Sequence, residues 1–295
     1  MKKCNKIYLT FSLLLFSCPA DAFELCTPPQ QGIIIEGRAE PGTKVSLNGI
    51  NYLTGSDGRF LLAFGRDEAP EQTLSYTAPD GKEASLPLTV APTAWDIQNL
   101  RGVQPRKVSP TAEDQKEIAR ERNDVRQAMQ TLSASDDWKT GFEQPVEGRI
   151  SGQFGGQRIM NGKKMNPHQG MDIAVPEGTP VKAAADGIVT LSGGNYFYSG
   201  NMVILDHGHG LFTIYAHLLQ PTVTPGQHVA KGQIIALSGK TGRVTGAHLH
   251  WGASLQGVRF NPASLLNIPN SNNSCVKVSK ISNSNGNNRN EAKHD

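Results

Sequence analysis

The segments His168-Gln169-Gly170-Met171-Asp172 and His248-Leu249-His250 place four metal-competent side chains at even spacings within a chain of 295 residues. Successive side chains of an extended strand point to opposite faces, so His168 shares a face with Asp172, and His248 with His250. A helix also aligns positions four apart, but Pro167, Gly170, Pro176 and Gly178 crowd the first segment and favour an extended backbone. Two such strands side by side can aim three or four ligands at one point, which calls for a sheet built around a site. Imidazole and carboxylate ligands without thiolate suit zinc, and a catalytic zinc takes three protein ligands and keeps one position open. A fourth candidate is then free to move protons or hold developing charge. So is His217, in the apolar run Leu211-Phe212-Thr213-Ile214-Tyr215-Ala216-His217-Leu218.

Around these segments the pattern is that of consecutive strands, expected at 181–184, 187–191, 202–205, 211–216, 233–237 and 248–253. Ser192-Gly193-Gly194, Pro225-Gly226 and Lys231-Gly232 supply turns between them. An antiparallel β-core with a surface groove follows. Asp206-His207-Gly208-His209-Gly210 looks like a further metal cluster, but its glycines mark a hairpin connection between two strands. His207 is also a candidate to orient a ligand from behind, and His228, beside Pro225-Gly226, reads as a solvated turn residue.

His168 to Asp172, Tyr215-Ala216-His217-Leu218 and His248-Leu249-His250 occur together with Gly178-Thr179-Pro180-Val181, Ala185-Asp186-Gly187 and Gly239-Lys240-Thr241-Gly242. In this order they resemble the LytM/lysostaphin-type zinc endopeptidases, over roughly 146 to 266. The resemblance implies one Zn2+ per chain, bound by His168, Asp172 and His250, with His217 and His248 catalytic. It implies peptidoglycan peptide stems as substrate, and in a diderm cell the D-alanyl-meso-diaminopimelate bridge. Arg158, in Gly155-Gly156-Gln157-Arg158, matches an element often found upstream of HxxxD in that family, and its fork of donors suits a substrate carboxylate. Some relatives have lost zinc ligands and activate cell-wall amidases instead; the full ligand set here opposes that alternative. A binding module with structural zinc is opposed by the lack of a four-ligand or cysteine-bearing cluster.

The first 22 residues read as a secretory signal. Lys2, Lys3 and Lys6 precede an apolar run at 7–17 that is too short to span a bilayer, and Ala20-Asp21-Ala22 offers small residues for cleavage. Secretion, with no wall-sorting motif, points to the periplasm of a Gram-negative cell. The chain's formal charge of +3 owes two units to the balance of those lysines against Asp21, so nothing in the remainder marks a nucleic-acid binder, and no apolar run is long enough for a transmembrane segment. Cys4 and Cys18 leave with the signal. Cys26 and Cys275 then form an even pair in an oxidising compartment and are expected to be disulfide-linked; closing so long a loop contributes up to about 5 kcal/mol in the chain-entropy model.

The expected organisation is mostly β. A small β-sandwich at 23–91 has strands at 32–37, 44–47, 59–64 and 85–90, separated by Pro41-Gly42, Asp57-Gly58 and Asp80-Gly81. A linker at 92–145 holds one amphipathic helix at 111–132, capped by Thr111 or Ser109, with Ile118, Val125, Met129 and Leu132 as its apolar stripe. The zinc peptidase domain occupies 146–266, and from 267 to 295 an Asn/Ser-rich composition indicates a disordered tail.

Overall fold

The structure is a computed structural model that describes residues 23–269. The expected signal at 1–22 and all but the first three residues of the tail, Cys275 among them, lie outside the described residues. Cys26 is disulfide-bonded.

The N-terminal part consists of β1 (Phe23–Leu25), β2 (Ile34–Ala39), β3 (Lys44–Leu47), β4 (Ile50–Tyr52), β5 (Arg59–Ala63), β6 (Glu71–Thr77) and β7 (Glu83–Thr89). They form two antiparallel sheets, ordered β1-β2-β5 and β4-β3-β6-β7. Phe60, Leu62 and Ile35 from one sheet and Val45, Leu47 and Leu74 from the other are buried in one cluster, as two packed sheets require. β6 had no expectation behind it: only Leu74 of its seven side chains is buried, so its polar sequence carries little strand signal.

The stretch between 92 and 145, expected as a linker, supplies an element of the following domain. β8 (Ile97–Leu100) is followed by the short helix α1 (Pro105–Val108) and by α2 (Ala112–Ala128). Thr111 closes a capping box with Asp114, each side chain accepting the other's backbone N–H, and the helix stops four residues short of the expected end, leaving Leu132 half exposed. Ile118 is buried, and Val125, Ala128 and Met129 pack on Phe212, Ile214 and their neighbours.

β9 (Arg149–Gly152), β10 (Gln157–Met160), β11 (Lys163–Lys164), β12 (Met171–Ala174), β13 (Pro180–Lys182), β14 (Gly187–Tyr196), β15 (Gly200–Asp206), β16 (Leu211–Pro221), β17 (His228–Val229), β18 (Ile234–Ser238), β19 (Leu249–Leu255) and β20 (Val258–Phe260) follow, and a short 3-10 helix (Pro262–Asn267) comes after β20. The main antiparallel sheet runs β17-β14-β15-β16-β19-β12-β9, with β18 bridging β16 to β13 and β20 on β19. β8 pairs in parallel with β10, setting Gln98 opposite Arg158.

The two parts share a core. Trp138 is fully buried with the Arg59 guanidinium 4.6 Å above its ring, and Arg59 holds Glu36 through two bonds of 2.9 and 2.7 Å. Removing one partner of such a buried pair typically costs about 3–5 kcal/mol.

The β15–β16 hairpin is pinned from beneath by a directed chain of hydrogen bonds. His207 Nδ1 must donate to the Asp186 carbonyl, 2.5 Å away; its Nε2 lies 2.7 Å from the Thr213 hydroxyl, Thr213 donates to the Tyr215 hydroxyl at 3.0 Å, and the Tyr215 oxygen also accepts the Ala184 N–H at 2.9 Å. Burial pushes this imidazole down to about 4. Between that value and the unfolded pKa near 6.5 the unfolded chain binds a proton that the fold does not, so stability rises with pH across this window. Urea unfolding is expected to show wild type losing on the order of 3 kcal/mol from this residue between pH 7 and pH 4, and His207→Gln losing correspondingly less. Equal pH slopes in the two proteins would reject the assignment. His207 therefore serves the scaffold and orients no ligand.

Candidate metal centre and its flanking histidines

β12 and β19 are neighbours, and their register sets Asp172 directly opposite His250. His168 precedes β12 in a loop, so strand alternation does not position it; instead its backbone exchanges bonds with Gly155 and Gly156, 2.8 and 2.9 Å long. Gly170 makes room, since a Cβ there would lie 2.6 Å from the His250 ring.

His168 Nε2, Asp172 Oδ1 and His250 Nδ1 converge within 4.8 Å of one another. His168 Nδ1 donates to the Gln153 carbonyl at 2.9 Å, which leaves Nε2 as an acceptor, 3.1 Å from Asp172 Oδ1 and 3.1 Å from His250 Nδ1. His250 Nδ1 is 2.9 Å from the same carboxylate oxygen. Lone pairs facing one another at these distances fit a divalent cation, with two imidazoles and one carboxylate as ligands.

Electrostatics keep this set in its ligating form. Burial lowers the pKa of His168, and it pushes His250 down to about 4 against the pull of Asp172, so both imidazoles are neutral at pH 7. Burial would raise the pKa of Asp172, but the His168 and His250 ring nitrogens beside its Oδ1 outweigh it and hold the carboxyl well below its usual range. Its other oxygen, Oδ2, is gripped by the Arg158 guanidinium, whose Nε donates to Gln98 Oε1 at 3.2 Å. The fork that the sequence offered to a substrate carboxylate thus sits on a carboxylate of the protein. Gln98, which no sequence signal singled out, reaches it through the β8–β10 pairing.

His217 arrives by a bulge. Ala216 pairs with His250 across β16 and β19, and simple alternation would turn His217 with Tyr215 toward the main core. The β15–β16 register slips beside it, and His217 adopts φ +62°, a left-handed conformation rare for a non-glycine residue, which re-aims its ring toward the site. Its ring centroid lies 4.8 Å from that of His248 and 5.8 Å from that of His250.

Backbone carbonyls fix both flanking rings. His217 Nδ1 donates to Thr241 O and His248 Nδ1 to Gly246 O, each at 2.9 Å, leaving both Nε2 atoms as acceptors. His248 Nε2 is 3.7 Å from Asp172 Oδ1. Burial, followed by repulsion from His248 and His250, keeps His217 neutral far below its ordinary pKa. The carbonyl of Thr241 was legible only as part of Gly239-Lys240-Thr241-Gly242, without a role. The arrangement can hold a metal ion and accept a proton beside it.

All five sequence-predicted residues meet here, and Arg158 stands behind them. Cys26 directly follows β1, its N–H donating to Glu36 O at 2.9 Å.

Residues 166–262 match the model described as Peptidase family M23. The peptidoglycan DD-endopeptidase ShyA of Vibrio cholerae is 45% identical over 122 residues, 41% of this chain and 28% of ShyA. The DD-carboxypeptidase/endopeptidase Mpg of Neisseria meningitidis serogroup B is 42% identical over 129 residues, 43% of this chain and 30% of Mpg. The matches thus span less than a third of these relatives. A Pseudomonas aeruginosa structure described as a peptidase M23 superposes with a TM-score of 0.65 at 28% identity, covering 82% of this chain and 96% of that one.

Proposed function

We propose that this chain, which belongs to peptidase family M23 through residues 166–262, is a periplasmic zinc endopeptidase that hydrolyses peptide cross-links of peptidoglycan, the D-alanyl-meso-diaminopimelate bond in particular. The observation that carries this reading is the convergence of His168 Nε2, Asp172 Oδ1 and His250 Nδ1 beside two histidines whose Nε2 atoms also face the site. The names of ShyA and Mpg support the substrate class. No helix among the described residues is long and apolar enough to cross a membrane.

Zinc held by His168, Asp172 and His250 would supply an activated water, its pKa lowered from about 15.7 towards about 7, and would polarise a peptide carbonyl. The chain's residues do the rest. His217, neutral and fixed by Thr241, takes the proton of the attacking water on Nε2. His248, held by Gly246 O through Nδ1, would meet the charge that develops on the scissile oxygen once its Nε2 also carries a proton. Arg158 fixes Asp172 so that Oδ1 stays on the metal side, as partners behind metal ligands do elsewhere. The complete ligand set opposes an amidase activator, and two oriented histidines have no use in a structural zinc site.

Mature protein incubated with cross-linked muropeptide dimers, with and without chelator, is expected to yield monomers one water heavier in total only without chelator. Re-added Zn2+ should restore the products. Mass spectra unchanged by the protein in both arms would reject an endopeptidase, and products that persist under chelation would reject the metal.

A further inference from the structure

A cavity of about 1130 Å3 joins the metal centre to the inner face of α2. Among its described lining residues seven are Arg or Lys and one is acidic, Glu121. That acid is spent: its two oxygens accept the Phe197 N–H at 2.8 and 2.9 Å. Arg158 is spent on Asp172. Arg122, Arg126, Lys163, Lys164, Arg243 and Arg259 line the same space and make no ion pair among the described residues. A peptide entering here meets positive charge with little protein carboxylate to balance it.

Arg243 is the one built into the site. Its N–H donates to Tyr198 O at 2.9 Å and its guanidinium rests 4.3 Å from the Tyr198 ring centroid. Among the described residues its guanidinium has a single hydrogen-bond acceptor, the Lys107 carbonyl, at a marginal 3.5 Å. Gly242 lets the turn lie flat against that neighbour: φ is +78°, and a Cβ would come within 2.4 Å of Tyr198 O. The same turn presents Thr241 O to His217 Nδ1, so Arg243 and His217 are carried on one three-residue segment. Arg243 is also close enough to feel the charge of Arg158, which touches the metal-binding carboxylate. A half-buried guanidinium stacked on an aromatic ring, with donors left over and no acid to meet them, is a carboxylate receptor.

We propose that Arg243 is a specificity-determining residue that binds a free carboxylate carried on the substrate residue next to the scissile amide. This rests on the endopeptidase reading above and deepens it. In a cross-link made through a diaminopimelate amine, the carbon bearing that amine also bears a carboxylate, which lies within one residue of the bond to be cut. No covalent step is added: Arg243 holds the acceptor side of the substrate in register with His217.

The test uses two cross-linked dimers, one with that carboxylate free and one with it converted to carboxamide. Metal-loaded full-length protein is expected to favour the free acid at least about tenfold in kcat/KM, with the difference in KM, since a charge-assisted bond outweighs a neutral one by about that factor. Arg243→Met should bring the ratio near one, and Arg243→Lys should recover part of it. A merely structural role would lower turnover of both dimers together and leave the ratio intact. Should Arg243→Met fail to fold, judged by its melting temperature and metal content, the ratio in Arg243→Lys decides. A wild-type ratio near one, or a ratio unchanged in the variants, overturns the proposal. If wild type cuts neither dimer, the endopeptidase reading falls on its own, and calorimetry of the uncross-linked stem peptide, acid against amide, still decides Arg243: preference for the acid that is lost in Arg243→Met supports it, and equal binding overturns it.

Discussion

Asp172→Ala is expected to purify with less than about a tenth of an equivalent of metal and to lose activity by about a thousandfold or more, because two imidazoles alone make a weak site for zinc. The loss should exceed a simple ligand deletion. Asp172 Oδ2 also receives the Arg158 guanidinium, so its removal leaves a buried cation beside the metal position and adds like-charge repulsion to the missing bond. Metal analysis paired with a muropeptide assay checks this; a metal-replete and active Asp172→Ala protein would remove the aspartate from the ligand set.

His217→Ala should behave in the opposite way. The ring touches neither the ligand atoms' backbone supports nor Asp172, so metal is expected to stay near stoichiometric while turnover falls about a hundredfold or more, the usual contribution of a positioned proton acceptor. Burial and the neighbouring imidazoles hold His217 neutral well below its ordinary pKa, so its acceptor function should survive acidification into the range where a solvent-exposed histidine is already charged. An acid limb of kcat near pH 6.5 that disappears in His217→Ala would contradict that environment. A His217→Ala protein that has lost its metal would reassign the residue as a ligand.

The sequence carried the site further than it carried the fold. His248-Leu249-His250 and His168 to Asp172 announced a metal centre because so few residue types can bind one, and the structure brings all of them together with His217. Even spacing accounts for Asp172 facing His250 across two strands, whereas His168 is placed by a loop tied to Gly155 and Gly156. For His217 alternation would have given the wrong face; a bulge is a tertiary accommodation that leaves no periodic signal. Gln98 was invisible for a similar reason: a parallel partner 60 residues away is chosen by the sheet, and its local composition reads as a connection. β3 was legible to the residue, and β16 over its apolar part, 211–216, although the strand runs on to Pro221. β6, polar on most of its length, was not.

The direct pairing of Asp172 with His250 also fixes when the centre can exist. The two lie 78 residues apart, and β19 must be seated between β12 and β16 before the third ligand reaches the other two. A chain that has emerged only as far as residue 240 possesses His168, Asp172 and His217 but neither His248 nor His250, so it has neither a three-ligand site nor its second flanking histidine. Metal capture is therefore among the last events of folding, and the free energy of coordination is released only to a completed sheet. The endopeptidase proposed above would in this way be inert for as long as that sheet is incomplete.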